Sequence, residues 1–328
     1  MQQENNELLE IEKEIKKKKN KMPIGRKIFI LLMIIYPIVH FLVFWLYVNF
    51  NSILMAFQDF NYFEGKENFV WLDNFDWAMN ELYRLGKEDL KNCIINSVLL
   101  FVSNNFVILP ISIFCAYIFY KKLPCGGIFK VIFFLPNIIS VVVLTLAFSF
   151  MFNSSFGPVN EVLNFLGLGE LIPANGWLSS KETAVPMILF YCLWAGIGYN
   201  VVLLSGAIGR IPEEVIESGK LDGIGMWREL FVIVVPLIFP TITTLFVTGV
   251  TVIFTLFLQP MLLTGGGPYS HISGTIALYI VELVNASDLY KASAVGLLFS
   301  AVGVPLVLLI KYILEKISPD VEYLFYSF

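Results

Sequence analysis

Six apolar runs recur along the chain, each long enough to cross a bilayer, with polar stretches between them. Hydropathy places them at roughly 28–50, 93–119, 128–152, 184–208, 230–258 and 293–314. A hydrocarbon core ~30 Å thick needs about 20 helical residues, so each run predicts a membrane helix. The stretch from Ile211 to Pro240 stands out. It holds five acids (Glu213, Glu214, Glu217, Asp222, Glu229) and two bases (Lys220, Arg228), with apolar runs on both sides. A charge at the bilayer centre costs about 2.5–3.5 kcal/mol on insertion scales, so this insert must lie in water.

Its local pattern predicts two short helices around a bend. Pro212 suits the first helical position, and Glu213 and Glu214 complement the positive end of the helix dipole. Val215, Ile216 and Gly219 fall on or near one face. Asp222-Gly223 is a turn signal, since glycine takes a positive φ without steric cost. A second helix starts near Met226 and runs into the next apolar span. The pattern suits an ordinary loop between membrane helices and a docking element equally.

Composition agrees with a polytopic, all-α membrane protein. The 328 residues are 57% hydrophobic and 15% charged, with a mean hydropathy of +0.75, which excludes a soluble globular domain. The net charge of −4 gives no basis for nucleic-acid binding, because the charges are segregated into loops. Cys93, Cys115, Cys125 and Cys192 form no C-x-x-C pair, and His40 and His271 have no ligand-spaced partners, so no metal site is expected.

Charge also orients the chain. Sixteen of the 22 basic residues fall on the side that holds both termini, the 121–130 connection and the acidic insert, and six fall on the other. The positive-inside rule then puts both termini and the insert in the cytoplasm. The basic start, residues 1–27, is a solvated tail, and the span after it is too long for a signal-peptide core. The outer segment 51–92 carries eight acids, four bases and several aromatics, among them Phe57, Phe63, Trp71 and Trp77. Such aromatics suit the headgroup level or a partner's docking surface.

No stretch reads G-x-x-x-x-G-K-[ST], and no catalytic set converges in the spans, so the energy source is expected on a partner. Polar and aromatic groups within the spans are candidates for a solute path: Asn104, Asn105, Asn137, Ser140, Tyr191, Trp194, Tyr199, Asn200 and Gln259. Gly196 and Tyr199 fall at i, i+3 on one helix face, where glycine leaves room for a flat ring.

Glu217-Ser218-Gly219-Lys220-Leu221-Asp222-Gly223, followed by Phe231, Ile233 and Pro236, resembles the E-A-A-x-x-D-G signature of binding-protein-dependent ABC importer permeases. Ser218 and Gly219 replace its two alanines. Asn96-Ser97, Phe134-Leu135-Pro136, Phe156-Gly157-Pro158-Val159-Asn160, Gly176-Trp177-Leu178 and Thr264-Gly265-Gly266-Gly267-Pro268 follow in the same order. They are similar to the first permease of carbohydrate importers of the maltose and glycerol-3-phosphate type.

The resemblance implies the type I importer fold, with a permease domain at 28–316, a coupling loop at 209–229 and a C-terminal tail at 317–328. It implies a bacterial cell membrane, a second homologous permease, two cytoplasmic ATPases that bind ATP and Mg, and an extracellular solute-binding protein. It assigns Glu217, Ser218, Gly219, Asp222 and Gly223 to the ATPase contact, and Asn137, Trp194, Gly196 and Tyr199 to the solute path. The chain itself is then no enzyme and holds no cofactor or metal. Alternatives are the same architecture importing a polyol, glycerol phosphate or amino sugar, and a self-contained secondary transporter, which would show inverted repeats.

Overall fold

A computed structural model describes residues 24–61, 63–83, 89–121, 126–179, 182–265 and 273–318. Most of the basic tail, Cys125, the Gly266-Gly267-Pro268 turn, His271 and the last ten residues lie outside them. The chain clusters into two units, Met1–Met55 and Ala56–Phe328.

The first unit is a single long helix, α1 (Ile24–Met55), whose apolar side chains are exposed on every face. Its middle, Phe41–Tyr47, winds as a π-helix. The span is longer than the hydropathy limits at both ends.

The second unit opens with a two-stranded antiparallel hairpin, β1 (Gln58–Asn61) and β2 (Lys66–Phe69), registered Gln58 to Phe69. Helix α2 (Asp73–Tyr83) follows, and Asn74 holds it to the hairpin by donating to the Ala56 and Gln58 carbonyls. This small sheet lies in the outer segment 51–92, where the sequence pattern predicts no element, and leaves the fold mostly helical. Helix α3 (Leu90–Tyr120) then runs through the bundle and contains a π segment at Asn104–Ile108.

The third predicted span is two helices. Helix α4 (Gly126–Ile138) and helix α5 (Val141–Met151) meet at 102° around Ile139 and Ser140. Pro136 sits two residues before the end of α4, where it removes a ladder donor and crowds the carbonyl four residues back. A short amphipathic helix, α6 (Pro158–Phe165), follows, with the Trp177 indole bonded to Asn160 Oδ1 at 2.8 Å. Helix α7 (Ala184–Ile208) is unbroken.

After the polar insert, which forms α8 (Glu213–Leu221), the fifth predicted span is also broken. Helix α9 (Met226–Leu237) and helix α10 (Phe239–Thr255) cross at 76°. Pro240 lies in the first turn of α10 and has no N–H to offer the Pro236 carbonyl, so the hydrogen-bond ladder is interrupted across Ile238, which takes φ −95° and ψ 6°. Helices α11 (Leu258–Thr264), α12 (Ile276–Asn285) and α13 (Leu289–Ile317) complete the unit. Among the described residues four continuous helices and two bent pairs are thus apolar enough to span, up to six crossings by length and composition if each bent pair is one span. Lys130 and Lys311 fall inside the hydropathy limits, each within a turn of a span's end.

The two largest of the apolar clusters among the described residues lie at opposite ends of the bundle. One joins α3, α7, α8, α9 and α10 at the end bearing the insert, through residues such as Tyr117, Leu204, Ile216 and Ile233. The other joins α3, α5, α7 and α11 at the opposite end, through Leu100, Phe148, Ile188 and Leu263.

Candidate functional site

The insert folds as the sequence predicts, one residue displaced. Pro212 takes the cap, with φ −56° and ψ 137°, and helical geometry begins at Glu213. Ile216 and Gly219 are buried, and the helix lies on α9 through them. A Cβ on Gly219 would lie 2.7 Å from Ile233 Cδ1, so the small residue sets how closely α8 approaches. The end of α8 is a Schellman motif: Ile224 N–H bonds the Gly219 carbonyl and Gly223 N–H the Lys220 carbonyl, both at 3.0 Å. Gly223 sits at the left-handed position, φ +71°. Glu213, Glu214, Glu217, Ser218 and Asp222 are exposed, and Leu221 is 89% exposed at the tip. Tyr120, Lys121 and the flank of α8 enclose a groove of about 340 Å³ beside Glu213 and Glu217.

A buried ion pair fixes the root of this element. Lys121, just past the end of α3, reaches both carboxylate oxygens of Glu229 on α9, at 2.5 and 2.7 Å. The Tyr117 hydroxyl donates to the Met226 carbonyl at 3.1 Å. The sequence shows both charges but not their meeting, because 108 residues separate them. The Glu229 side chain is 4% exposed and the Lys121 side chain 29%.

That asymmetry gives a prediction. Lys121→Ala strands a buried carboxylate and is expected to cost about 3–5 kcal/mol. Glu229→Gln leaves a lysine that can swing to water, so it should cost less. Thermal unfolding of the two variants in one detergent checks the order, and equal losses would mean that Glu229 is solvated.

The second feature is a cavity of about 250 Å³ between α3, the α4–α5 bend, α7 and α10. Three amides border it: Asn104 from the π segment of α3, Asn137 from the end of α4, and Gln259 from α11. Asn137 Nδ2 donates to the Ala195 carbonyl at 3.1 Å, which leaves its oxygen free of that bond. The Tyr191 ring forms part of the wall, its hydroxyl 3.0 Å from Thr145 Oγ1. Of the four residues that the resemblance assigns to the solute path, the structure brings Asn137 and Gly196 to this cavity, together with the further candidates Asn104, Tyr191 and Gln259. Trp194 and Tyr199 lie outside it, 41% and 51% exposed on α7, with Trp194 stacked on Phe148 at 6.1 Å.

Two glycines make the crossings around the cavity. A Cβ on Gly198 would fall 1.9 Å from the Phe133 carbonyl oxygen of α4. A Cβ on Gly249 of α10 would fall 2.4–2.6 Å from the Asn104 and Asn105 amides. At Gly196, by contrast, the nearest atoms are Ile108 methyls at 3.5–3.6 Å, which is ordinary contact. Neither tight glycine stands out in the sequence, since only the fold shows what faces it. Gly198→Ala is therefore expected to cost about 1–3 kcal/mol of overpacking, and Gly196→Ala close to nothing. Unfolding temperatures of the purified variants test this, and a Gly198→Ala protein as stable as its parent would contradict the crossing.

Broken and continuous membrane helices around a largely apolar cavity edged by three amides, with a charged helix at the bundle end, fit a membrane transport subunit. The chain belongs to the family of binding-protein-dependent transport system inner membrane components, whose profile matches residues 108–323. It is 29% identical over 238 residues to the probable ABC transporter permease protein YurN of Bacillus subtilis, covering 72% of this chain and 79% of that one. It is 26% identical over 292 residues to the diacetylchitobiose uptake system permease protein NgcF of Streptomyces coelicolor, covering 87% and 82%. The maltose/maltodextrin permease protein MalF of Escherichia coli matches at 32% over 159 residues, which is 48% of this chain and 30% of that protein. A crystallised bacterial ABC transporter for import of the acidic polysaccharide alginate shares the fold, with TM-score 0.76 at 24% identity over 90% of this chain and 98% of its own. The chain is thus a permease subunit of an ABC importer, seated in the membrane, and not an enzyme.

Proposed function

We propose that this chain and a second permease enclose a path for a neutral sugar or oligosaccharide, opened to each side in turn by ATPase subunits that dock on α8. The observation that carries the substrate class is the cavity lining. Asn104, Asn137, Gln259 and Tyr191 offer amide and hydroxyl groups, and no Asp, Glu, Lys, Arg or His borders it among the described residues. Amides suit sugar hydroxyls as donor and acceptor, and ring faces suit the apolar faces of sugars. A phosphate, uronate or ammonium there would lose water with no opposite charge to meet, at a cost of several kcal/mol. That argues against glycerol phosphate and against amino sugars with a free, charged amine, but leaves N-acetylated amino sugars, which are neutral, within the reading. The relatives NgcF and MalF, named for diacetylchitobiose and maltodextrin, agree with a neutral solute. The exposed rings of Trp194 and Tyr199 would then serve the part of the path shared with the second permease.

On the expected cytoplasmic side, α8 offers a ready docking knob. Its inner face is fixed by Ile216 and Gly219, and its outer face presents Glu217, Asp222 and the uncovered Leu221. An ATPase cleft with one basic and one apolar contact fits this face. Nucleotide closure of two such ATPases would carry α8 and α9 with them and rock the permeases around the cavity. A solute-binding protein would deliver the sugar from the other side.

Uptake by the reconstituted importer of neutral, uronic and phosphorylated carbohydrates tests the substrate class. Neutral solutes should dominate, and Asn137→Asp should lower uptake at least tenfold with the ATPases still bound. Uptake dominated by a uronate would refute the neutral reading. For the dock, Glu217→Lys and Gly223→Val are each expected to abolish uptake and release the ATPase, whereas Glu213→Lys, losing mainly a dipole interaction of under about 1 kcal/mol, should be milder. Co-purification of the ATPase with each variant decides this, and the reverse ranking would place the dock elsewhere.

A further inference from the structure

The transport reading leaves unused a groove between α10 and α13. At the end nearest α8 it widens to a pocket of about 490 Å³ bordered by Thr243, Thr244, Thr248, Lys311 and Glu315. One turn further along both helices it continues as a trough of about 400 Å³ between Phe254, Ile280, Phe299 and Val307. Gly296 opens the trough wall, as a Cβ there would meet only Ile280 at 3.9 Å. The border on α10 runs from Pro240 to Thr255, fifteen helical steps or ~22 Å. That exceeds one leaflet of a ~30 Å hydrocarbon core, so a groove whose trough lies among acyl chains has room to carry its polar end to the headgroups.

The two ends differ in chemistry. In the trough, apolar rings and branched chains dominate. In the pocket, Lys311 is half exposed and lies 3.7 Å from Glu315. The Thr243 hydroxyl is buried without a hydrogen-bond partner, in a residue only 8% exposed. A buried hydroxyl left unpaired is costly, which marks it as a donor awaiting an acceptor. Thr244 and Thr248 already donate to the Pro240 and Thr244 carbonyls, at 3.0 and 2.9 Å, so their oxygens remain as acceptors only. The pocket therefore offers donors (Lys311, Thr243) and acceptors (Glu315, Thr244, Thr248) side by side.

We propose that this groove binds a phospholipid of the leaflet nearest α8, with an amine-bearing zwitterionic headgroup. The phosphate meets Lys311 and Thr243, the ammonium meets Glu315 and the two threonine oxygens, and one acyl chain lies in the trough. Charge complementarity selects the headgroup, and the apolar continuation of the pocket selects a lipid over a free anion.

The test uses the whole importer in nanodiscs of equal phosphatidylethanolamine, phosphatidylcholine and phosphatidylglycerol. Lipid that stays bound after detergent extraction is counted by mass spectrometry. The parent is expected to enrich phosphatidylethanolamine at least threefold over its share. Lys311→Ala, Thr243→Val and Gly296→Leu should each abolish the enrichment, with Ser300→Trp as a second block of the trough, while Lys316→Ala should keep it. No enrichment in the parent, or enrichment untouched by these variants, overturns the proposal. So does loss with Lys311→Ala but with neither trough variant, which would mean an anion at the polar end only. Efficient cross-linking of Ser300→Cys to the second permease would also overturn it, because a protein helix would then fill the groove.

Discussion

The Phe133 carbonyl lies against the bare Cα of Gly198, and the interior of the bundle depends on that approach. With α4 drawn onto α7, Asn137 reaches the Ala195 carbonyl, and the end of α4 is held just before the chain turns. Backbone that leaves a helix at membrane depth survives only where protein or a water-filled space surrounds it. Ile139, in the turn, borders the cavity, so the bend faces the one kind of surroundings that permits it. Gly249 does the same for α10, drawing it onto the paired amides of the α3 π segment. One missing side chain at each crossing therefore decides both where the helices meet and where polar groups gather.

At the other end of the bundle the polar insert is no slack loop. Apolar burial of Ile216, the Schellman turn at Gly223 and the Lys121–Glu229 pair make α8, α9 and the end of α3 one piece. Side-chain packing and a largely buried charge pair thus tie α8 to the bundle. The 76° break after α9 redirects the chain into α10, which the same apolar cluster holds to that piece through Leu245.

Much of this was legible in the chain. Apolar length marked the four continuous spans and both bent pairs, and the insert announced its helix, its glycine turn and its acidic face. The two breaks were not legible, although Pro136, Pro236 and Pro240 were in plain view. Proline kinks some helices and ends others, and the outcome depends on neighbours such as Gly198 that hydropathy does not see. Helical spacing likewise grouped Gly196 with Tyr199, but spacing does not say which face looks into a cavity and which looks out of the chain. Lys121 and Glu229 read as loop charges because a pairing across the fold leaves no local mark. The hairpin at 58–69 was missed for a related reason: QDFN and KENF lack the alternation that signals a half-buried strand.

Helix α1 is longer than a membrane is thick. Its 32 residues span ~48 Å at 1.5 Å per residue, against ~30 Å of hydrocarbon. Towards its end, Asn49 and Ser52 fold their polar groups back onto the Trp45 and Val48 carbonyls, at 2.6 and 3.1 Å, so these side chains tolerate either lipid or headgroups. Such a rod meets a thicker or thinner bilayer by changing its tilt rather than by exposing apolar surface to water. The anchor of this chain is built to be indifferent to the membrane in which it is placed.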